Sequence, residues 1–352
     1  MAQIDHYLRT LIEKNASDLH FIAGQPPRMR VYGDLAPCED DILSASMTEE
    51  ILREIMPQKA QDQFEEHDSA DFAHQLDGVA RFRVNILRHL GGMGGVFRAI
   101  PSQAKTLDDL KLPQVLKTLC RETQGLILVT GKTGSGKSTT LAAMISEINA
   151  CMKGHILTIE DPIEFVHERN RCLISQREVG QHCTTFSEAL HSALREDPDV
   201  ILVGEMRDYE TVSIAVTAAE MGILVMGTLH TNGAGQTVDR IVNVFPTDKQ
   251  PHVRTMLSTS LKGVISQQLV PRKDGGLAAA LEILVNNPAT ANLIRQGKLD
   301  QLETAMQSGG NMGMQTMDAA LMSLVDKATV SGHEAYQQAN NKSKFERFKS
   351  ED

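Results

Sequence analysis

From Gln3 to Lys14 the apolar residues Ile4, Tyr7, Leu8, Leu11 and Ile12 recur at helical spacing. Alternating segments follow at Leu19–Ile22 and Arg28–Tyr32, punctuated by Gly24, Pro26, Pro27 and Gly33 as hairpin turns are. A helix is expected around Thr48–Met56, opened by a capping pattern of Ser46 or Thr48 with Glu49 and Glu50 behind it. Strand patterns return at Ala70–Ala73, Ala80–Leu87 and Gly95–Ile100. Within Ala80-Arg81-Phe82-Arg83-Val84 the period of two puts Arg81 and Arg83 on one face, with Phe82 and Val84 on the other. Gly91-Gly92-Met93-Gly94-Gly95 lies between two strand patterns and lacks a following Lys-Ser or Lys-Thr, so it reads as a hairpin connection. Residues 1–100 thus form a small α+β domain by expectation.

Ile100-Pro101-Ser102 has the look of a linker, since Pro ends regular structure, and 101–112 is assigned to it. The grammar then changes. Over 113–285 short apolar runs at Leu126–Thr130, Ile156–Glu160, Val200–Gly204 and Leu224–Leu229 alternate with longer helical patterns, the signature of a parallel sheet flanked by helices. Residues 286–352 read as C-terminal helices at Ala289–Gln296, Gln301–Gln307 and Met317–Lys327, followed from Asn340 by a polar tail expected to be solvated.

Composition narrows the function. The 352 residues accommodate two or three domains at roughly 150 residues each. A net charge of -10 argues against a protein that coats nucleic acid, and 4% aromatics with no Trp argues against a base-stacking platform. Cys38, Cys120, Cys151, Cys172 and Cys183 contain no C-x-x-C pair, so neither a zinc ribbon nor a disulfide framework is indicated, and they read as reduced thiols of a cytosolic protein. The start lacks a signal-peptide pattern and no apolar run approaches the roughly 20 residues needed to cross a bilayer, so any membrane association is expected through a partner.

Gly131-Lys132-Thr133-Gly134-Ser135-Gly136-Lys137-Ser138 matches the phosphate-loop pattern G-x-x-x-x-G-K-[ST]. The apolar run Leu126–Val129 leads in and the helix-forming stretch Thr139–Ile145 leads out. Glycines let successive backbone N–H groups turn inward to phosphate oxygens, and the helix start adds its dipole to the same anion. Lys137 would reach the outer phosphates, and the Ser138 hydroxyl suits Mg²⁺. Gly131, Thr133, Gly134, Ser135, Gly136, Lys137, Ser138 and Thr139 are the expected contacts to ATP.

Ligands of open α/β sheets sit beyond the carboxyl ends of the strands. There the chain offers Glu160, Asp161 and Glu164 after one strand, Glu205 after the next and His230 after a third. Any of the carboxylates could orient a water or support Mg²⁺ by spacing alone. Glu205 occupies a Walker B position where Asp is more usual, and its longer side chain could hold the metal through water. His230, followed by Thr231-Asn232-Gly233, reads as phosphate-facing. Arg81 and Arg83, side by side, are as well explained by an exposed polar strand face as by outer-phosphate contact, and Arg98 shares that ambiguity.

Taken together, these motifs resemble the PilT family of type II/IV secretion ATPases, the retraction motors of type IV pili. The resemblance rests on the phosphate loop, the acidic box Thr158-Ile159-Glu160-Asp161-Pro162-Ile163-Glu164, the segment Val203-Gly204-Glu205-Met206-Arg207-Asp208 and the histidine box Thr228-Leu229-His230-Thr231-Asn232. It extends from Ser17-Asp18-Leu19-His20 to Gly313-Met314-Gln315-Thr316-Met317-Asp318. It implies an α/β chain with a PAS-like N-terminal α+β domain, a RecA-like P-loop ATPase domain with C-terminal helices, and a homo-hexamer that takes ATP and Mg²⁺. By position it makes Glu164 the catalytic glutamate, Glu205 the Walker B residue, His230 a γ-phosphate neighbour, and Arg81 and Arg83 arginines that approach a nucleotide. The implied partners are an inner-membrane platform protein of the pilus machine and a paralogous retraction ATPase, with peripheral attachment to the inner membrane and no direct nucleic acid.

One stretch departs from the family. Ala289-Thr290-Ala291-Asn292-Leu293-Ile294-Arg295-Gln296 keeps Asn-Leu-Ile-Arg but lacks the Ile, first Arg and final Glu of the retraction motors. An accessory retraction motor fits that departure too. The competing readings are an assembly-type secretion ATPase, a nucleic-acid translocase, and a nucleotide-gated interaction protein that scarcely hydrolyses ATP.

Overall fold

The computed structural model describes residues 2–31, 34–100 and 104–349. Tyr32, Gly33 and the linker residues Pro101 and Ser102 lie outside the described residues. The chain divides into two compact units, Met1–Gln103 with Glu164–Val166, and Ala104–Ile163 with His167–Asp352.

The first unit is an antiparallel sheet carrying helices. Its strands are β1 (Asp18–Ile22), β2 (Arg28–Val31), β3 (Asp34–Pro37), β4 (Ser69–Leu76), β5 (Ala80–His89) and β6 (Gly92–Ile100), in the order β3-β2-β1-β6-β5-β4. The expected alternation holds on β5, where Ala80, Phe82, Val84 and Ile86 are buried while Arg81, Arg83 and Asn85 face the other way. Phe21, Phe64, Phe82 and Phe97 are fully buried beside Ile51 and Leu52 of the helix Ala45–Ile55. Each such side chain contributes about 1.5–3 kcal/mol of burial to holding the helices on the sheet.

Two local expectations need correction. The helix near Thr48 is capped by Ser44, whose hydroxyl accepts from the Met47 N–H, and it starts at Ala45. Thr48 lies one turn inside, buried, and donates to the Ser44 carbonyl at 2.9 Å. In the glycine-rich hairpin only Leu90 and Gly91 form the turn, because His89 already pairs with Gly92 and the later glycines belong to β6.

The second unit is built on β7 (Gly125–Thr130), β8 (His155–Glu160), β9 (Leu173–Glu178), β10 (Val200–Val203), β11 (Leu224–Leu229), β12 (Leu261–Pro271) and β13 (Leu277–Val285). Their order is β13-β12-β7-β11-β10-β8-β9, and all neighbours are parallel except β12 with β13. Strands β7, β10 and β11 are buried at every residue, as continuous apolar runs covered on both faces must be. The helices Lys137–Cys151, Phe186–Ala193, Tyr209–Glu220 and Ala234–Asn243 supply that cover.

The C-terminal helices Pro288–Gln296, Leu302–Ser308 and Met317–Asp326 match the expected ones closely. The tail does not. Residues Lys342–Phe348 form a 3-10 helix whose Phe345 and Phe348 are buried against Val270, Ala280, Met317 and Leu321. The Asp318 carboxylate fastens it by accepting from the backbone N–H groups of Asn340 and Asn341. Among the described residues no helix is long and apolar enough to cross a membrane.

Candidate active site

Parallel pairing in the second unit decides where the candidate groups emerge. Thr130 at the end of β7 is level with Leu229 of β11, and Val203 of β10 is level with Gly227 of β11 and Ile159 of β8. The phosphate loop, the acidic box, Glu205 and His230 therefore leave the sheet at one rim, where open α/β sheets bind their ligands.

The loop needs its glycines. Gly131, Gly134 and Gly136 have φ of 139°, 79° and 84°, a region that side chains disfavour. Gly136 is also the N-cap of the helix Lys137–Cys151, so the turn and the helix start share one residue. The Lys137 ammonium donates to the carbonyl oxygens of Gly131 at 2.9 Å and Lys132 at 3.1 Å. Burial pushes its pKa below the usual lysine range, and the charge of Glu205 acts in the opposite direction. Ser135, within the loop, and Thr130, just before it, carry buried hydroxyls without a hydrogen-bond partner among the described residues. Thr133, Gly134 and Ser138 are exposed, and Thr139 is half-buried.

Beside the loop, Glu205 Oε1 lies 3.0 Å from His230 Nε2 and accepts from Arg207 Nε. Two other carboxylates of this unit, Glu160 and Asp208, are otherwise engaged. Glu160 is buried and accepts from Thr158 Oγ1 at 2.7 Å and Gln176 Nε2 at 3.4 Å. Asp208 caps the helix Tyr209–Glu220 through the N–H and hydroxyl of Thr211. Asp161 and Glu164 are exposed. Lys137, Glu205 and His230 thus form the group that the second unit itself brings together, whereas Glu164, Arg81 and Arg83 belong to the first unit.

Arg98, level with Arg83 across β5 and β6, donates to the buried Asp18 carboxylate at 2.7 Å. That pairing gives Arg98 a structural task and explains Asp18 in the Ser17–His20 segment.

No group of three or more His, Cys, Asp and Glu among the described residues is placed to hold a metal. The oxygen donors that a hard cation prefers are nonetheless present on this rim, in the exposed Ser138 hydroxyl on the first turn of the helix and the Glu205 carboxylate.

The sequence matches the model of the type II/IV secretion system protein family over residues 1–348. The chain belongs to that family. It is 51% identical to the type IV pilus retractation ATPase PilT of Pseudomonas aeruginosa over 93% of this chain and 95% of that protein. The type IV pilus ATPase PilU of the same organism is 41% identical over 96% of this chain and 89% of that protein. Among solved structures, that of the pilus retraction motor PilT with bound ADP aligns at a TM-score of 0.92 and 42% identity, covering 99% of this chain and 100% of that one.

Three polar residues that tie the phosphate loop and the segment after the histidine box to the sheet were not legible in the sequence. Gln267 on β12 is buried and bonds the loop and its helix. Ser266 accepts from the Gly233 N–H just after the histidine box. Glu282 on β13 accepts from the N–H groups of Ala234 and Met317, holding two helix starts, and burial raises its pKa against those hydrogen bonds. All three sit on the β12–β13 hairpin, more than a hundred residues from the loop in sequence, where no local pattern announces them.

Proposed function

We propose that this chain is an ATP-hydrolysing motor that powers type IV pilus retraction, working as a homo-hexamer at the cytoplasmic face of the inner membrane. The observation that carries the reading is its end-to-end likeness to PilT of P. aeruginosa at 51% identity. The lower identity to PilU, 41%, favours the principal motor over the accessory one despite the altered Ala289–Gln296 segment.

The roles follow from charge and position. Loop N–H groups and the Lys137 ammonium receive the phosphates of ATP, with Lys137 exchanging loop carbonyls for phosphate oxygens. Mg²⁺, when bound, would neutralise charge on the outer phosphates, held by the Ser138 hydroxyl with Glu205 in support. Glu164 is assigned the orientation of the attacking water, and His230 the sensing of the γ-phosphate beside Glu205. Arg81 and Arg83 are assigned charge compensation at the outer phosphates, of this subunit or a neighbouring one. The platform protein of the pilus machine is the expected mechanical load, and a paralogous ATPase the expected co-motor.

Deleting the gene tests the reading. Abundant but immobile surface fibres and lost twitching, restored by the wild-type gene and not by Lys137→Ala, are the expected outcome. Bald cells would instead mark an assembly motor, and normal fibre dynamics would end the proposal.

A further inference from the structure

We propose that Gln267, a buried glutamine on β12, is a positioning residue that sets the phosphate loop in its nucleotide-receiving shape. Its Nε2 donates to the Ser135 carbonyl oxygen at 2.7 Å, and its Oε1 accepts from Thr140 Oγ1 at 2.7 Å. Gln267 is 2% exposed and Thr140 1%, so both bonds are shielded from water. One amide thereby joins the loop to the first turns of the helix that follows it, across 132 residues of sequence.

The two partners fix the amide's orientation. Rotating it by half a turn would set its oxygen against the Ser135 carbonyl oxygen, two acceptors facing each other. The consequence for the loop is geometric. In a planar trans peptide the C=O and the following N–H point in opposite directions. Anchoring the Ser135 carbonyl toward Gln267 turns the Gly136 N–H away from Gln267, toward the side where an anion is received.

The packing enforces the same result. A Cβ on Gly136 would stand 2.7 Å from Gln267 Nε2, and one on Gly131 would strike the Gln267 backbone oxygen. The glycines at both ends of the loop are thus required by Gln267 as well as by their positive φ. Gln267 can do this because β12 pairs with β7, the strand that leads into the loop.

This inference rests on assigning the loop as the ATP site, and the experiment separates the two. ATP and ADP affinity, kcat and KM would be measured on the assembled full-length protein for wild type, Lys137→Ala, Gln267→Met and Gln267→Glu. Gln267→Met keeps length and flexibility but removes the donor and the acceptor. Gln267→Glu keeps an acceptor for Thr140 but opposes a carboxylate to the Ser135 carbonyl. Both lose the bond to the Ser135 carbonyl and are expected to weaken ATP and ADP binding about tenfold, in proportion to that one bond to the loop, while AMP binding barely changes. Amide exchange across Gly131–Gly136 should quicken in both, with the melting temperature of the rest of the protein little altered.

Wild-type affinity and exchange in either folded variant, with Lys137→Ala inactive, would overturn the role of Gln267 alone. Wild-type nucleotide binding in Lys137→Ala would overturn the site assignment itself. Should Gln267→Met fail to fold, Gln267→Glu, which retains the bond to Thr140, decides the matter.

Discussion

His230 Nε2 lies 3.0 Å from Glu205 Oε1, so the side chains that follow two adjacent parallel strands meet at the rim beside the phosphate loop. The carboxylate orients the imidazole, and its charge also reaches Lys137. Glu205→Gln keeps the shape and removes that charge. Turnover should fall about a hundredfold or more, within the range of a positioned carboxylate, while ADP binding persists. A phosphate-release assay beside an ADP titration checks this; unchanged turnover would remove Glu205 from the site.

Lys137 donates to carbonyl oxygens of its own loop, at 2.9 and 3.1 Å, so no distant part of the fold hangs on these bonds. Lys137→Ala should therefore leave the melting temperature within a few degrees of wild type, yet abolish nucleotide binding and hydrolysis to below about 1%. Calorimetric titration with ATP reads the first effect and phosphate release the second. Retained turnover would mean that catalysis occurs elsewhere.

The contrast between what the sequence disclosed and what it hid has a physical basis. β7, β10 and β11 were legible because a strand buried on both faces must be apolar throughout, and the loop because its φ values demand glycine. The paired edge strand β9 was not, since Leu173–Glu178 is only partly buried and carries Gln176, Arg177 and Glu178. Gln267 and Glu282 escaped because their partners are distant in sequence and a lone buried polar residue has no period. Lys137 was legible from the phosphate-loop pattern, and Glu205 and His230 from the ends of apolar strands.

The tail supplies a further test, because its composition conceals its role. Lys342, Lys344, Arg347 and Lys349 suggest a solvated end, whereas Phe345 is fully buried and Phe348 nearly so. Two aromatic residues three apart were too short a pattern to signal a docked 3-10 helix. Phe345→Ala should cost about 3–5 kcal/mol by opening a cavity against Leu321 and Val330. Denaturant melts read this directly, and a loss below 1 kcal/mol would mean that the tail is loosely held.

Asp18 tests the first unit. Burial alone would raise its pKa, but hydrogen bonds from Ser17 and Arg98 outweigh it and hold the carboxyl below the usual aspartate range. A carboxylate depressed in the folded state stabilises the protein above the ordinary value of about 3.9, and that contribution disappears as pH falls through the lower folded value. Asp18→Asn should lower stability at pH 7 by about 1–2 kcal/mol, the scale of charge-assisted hydrogen bonds, and leave ATP turnover per folded molecule unchanged. Impaired turnover at full stability would reassign the Ser17–His20 segment from the fold to the chemistry.

His167 predicts the acid side of the stability curve. Burial pushes its pKa from 6.5 down to about 4. The unfolded chain therefore takes up a proton below about pH 6.5 that the folded protein refuses until about pH 4. Stability is lost as pH falls through this window, by about 3 kcal/mol at most for this ring. His20 and His74, also lowered by burial, act in the same direction, so the informative comparison is between wild type and His167→Phe. The variant keeps an aromatic ring in place and removes its titration. Between pH 6.5 and 5, above most carboxylate titrations, wild type should lose about 2 kcal/mol more than the variant. Melting temperatures across that range supply the measurement, and parallel curves for the two proteins would show that His167 is protonated in the fold.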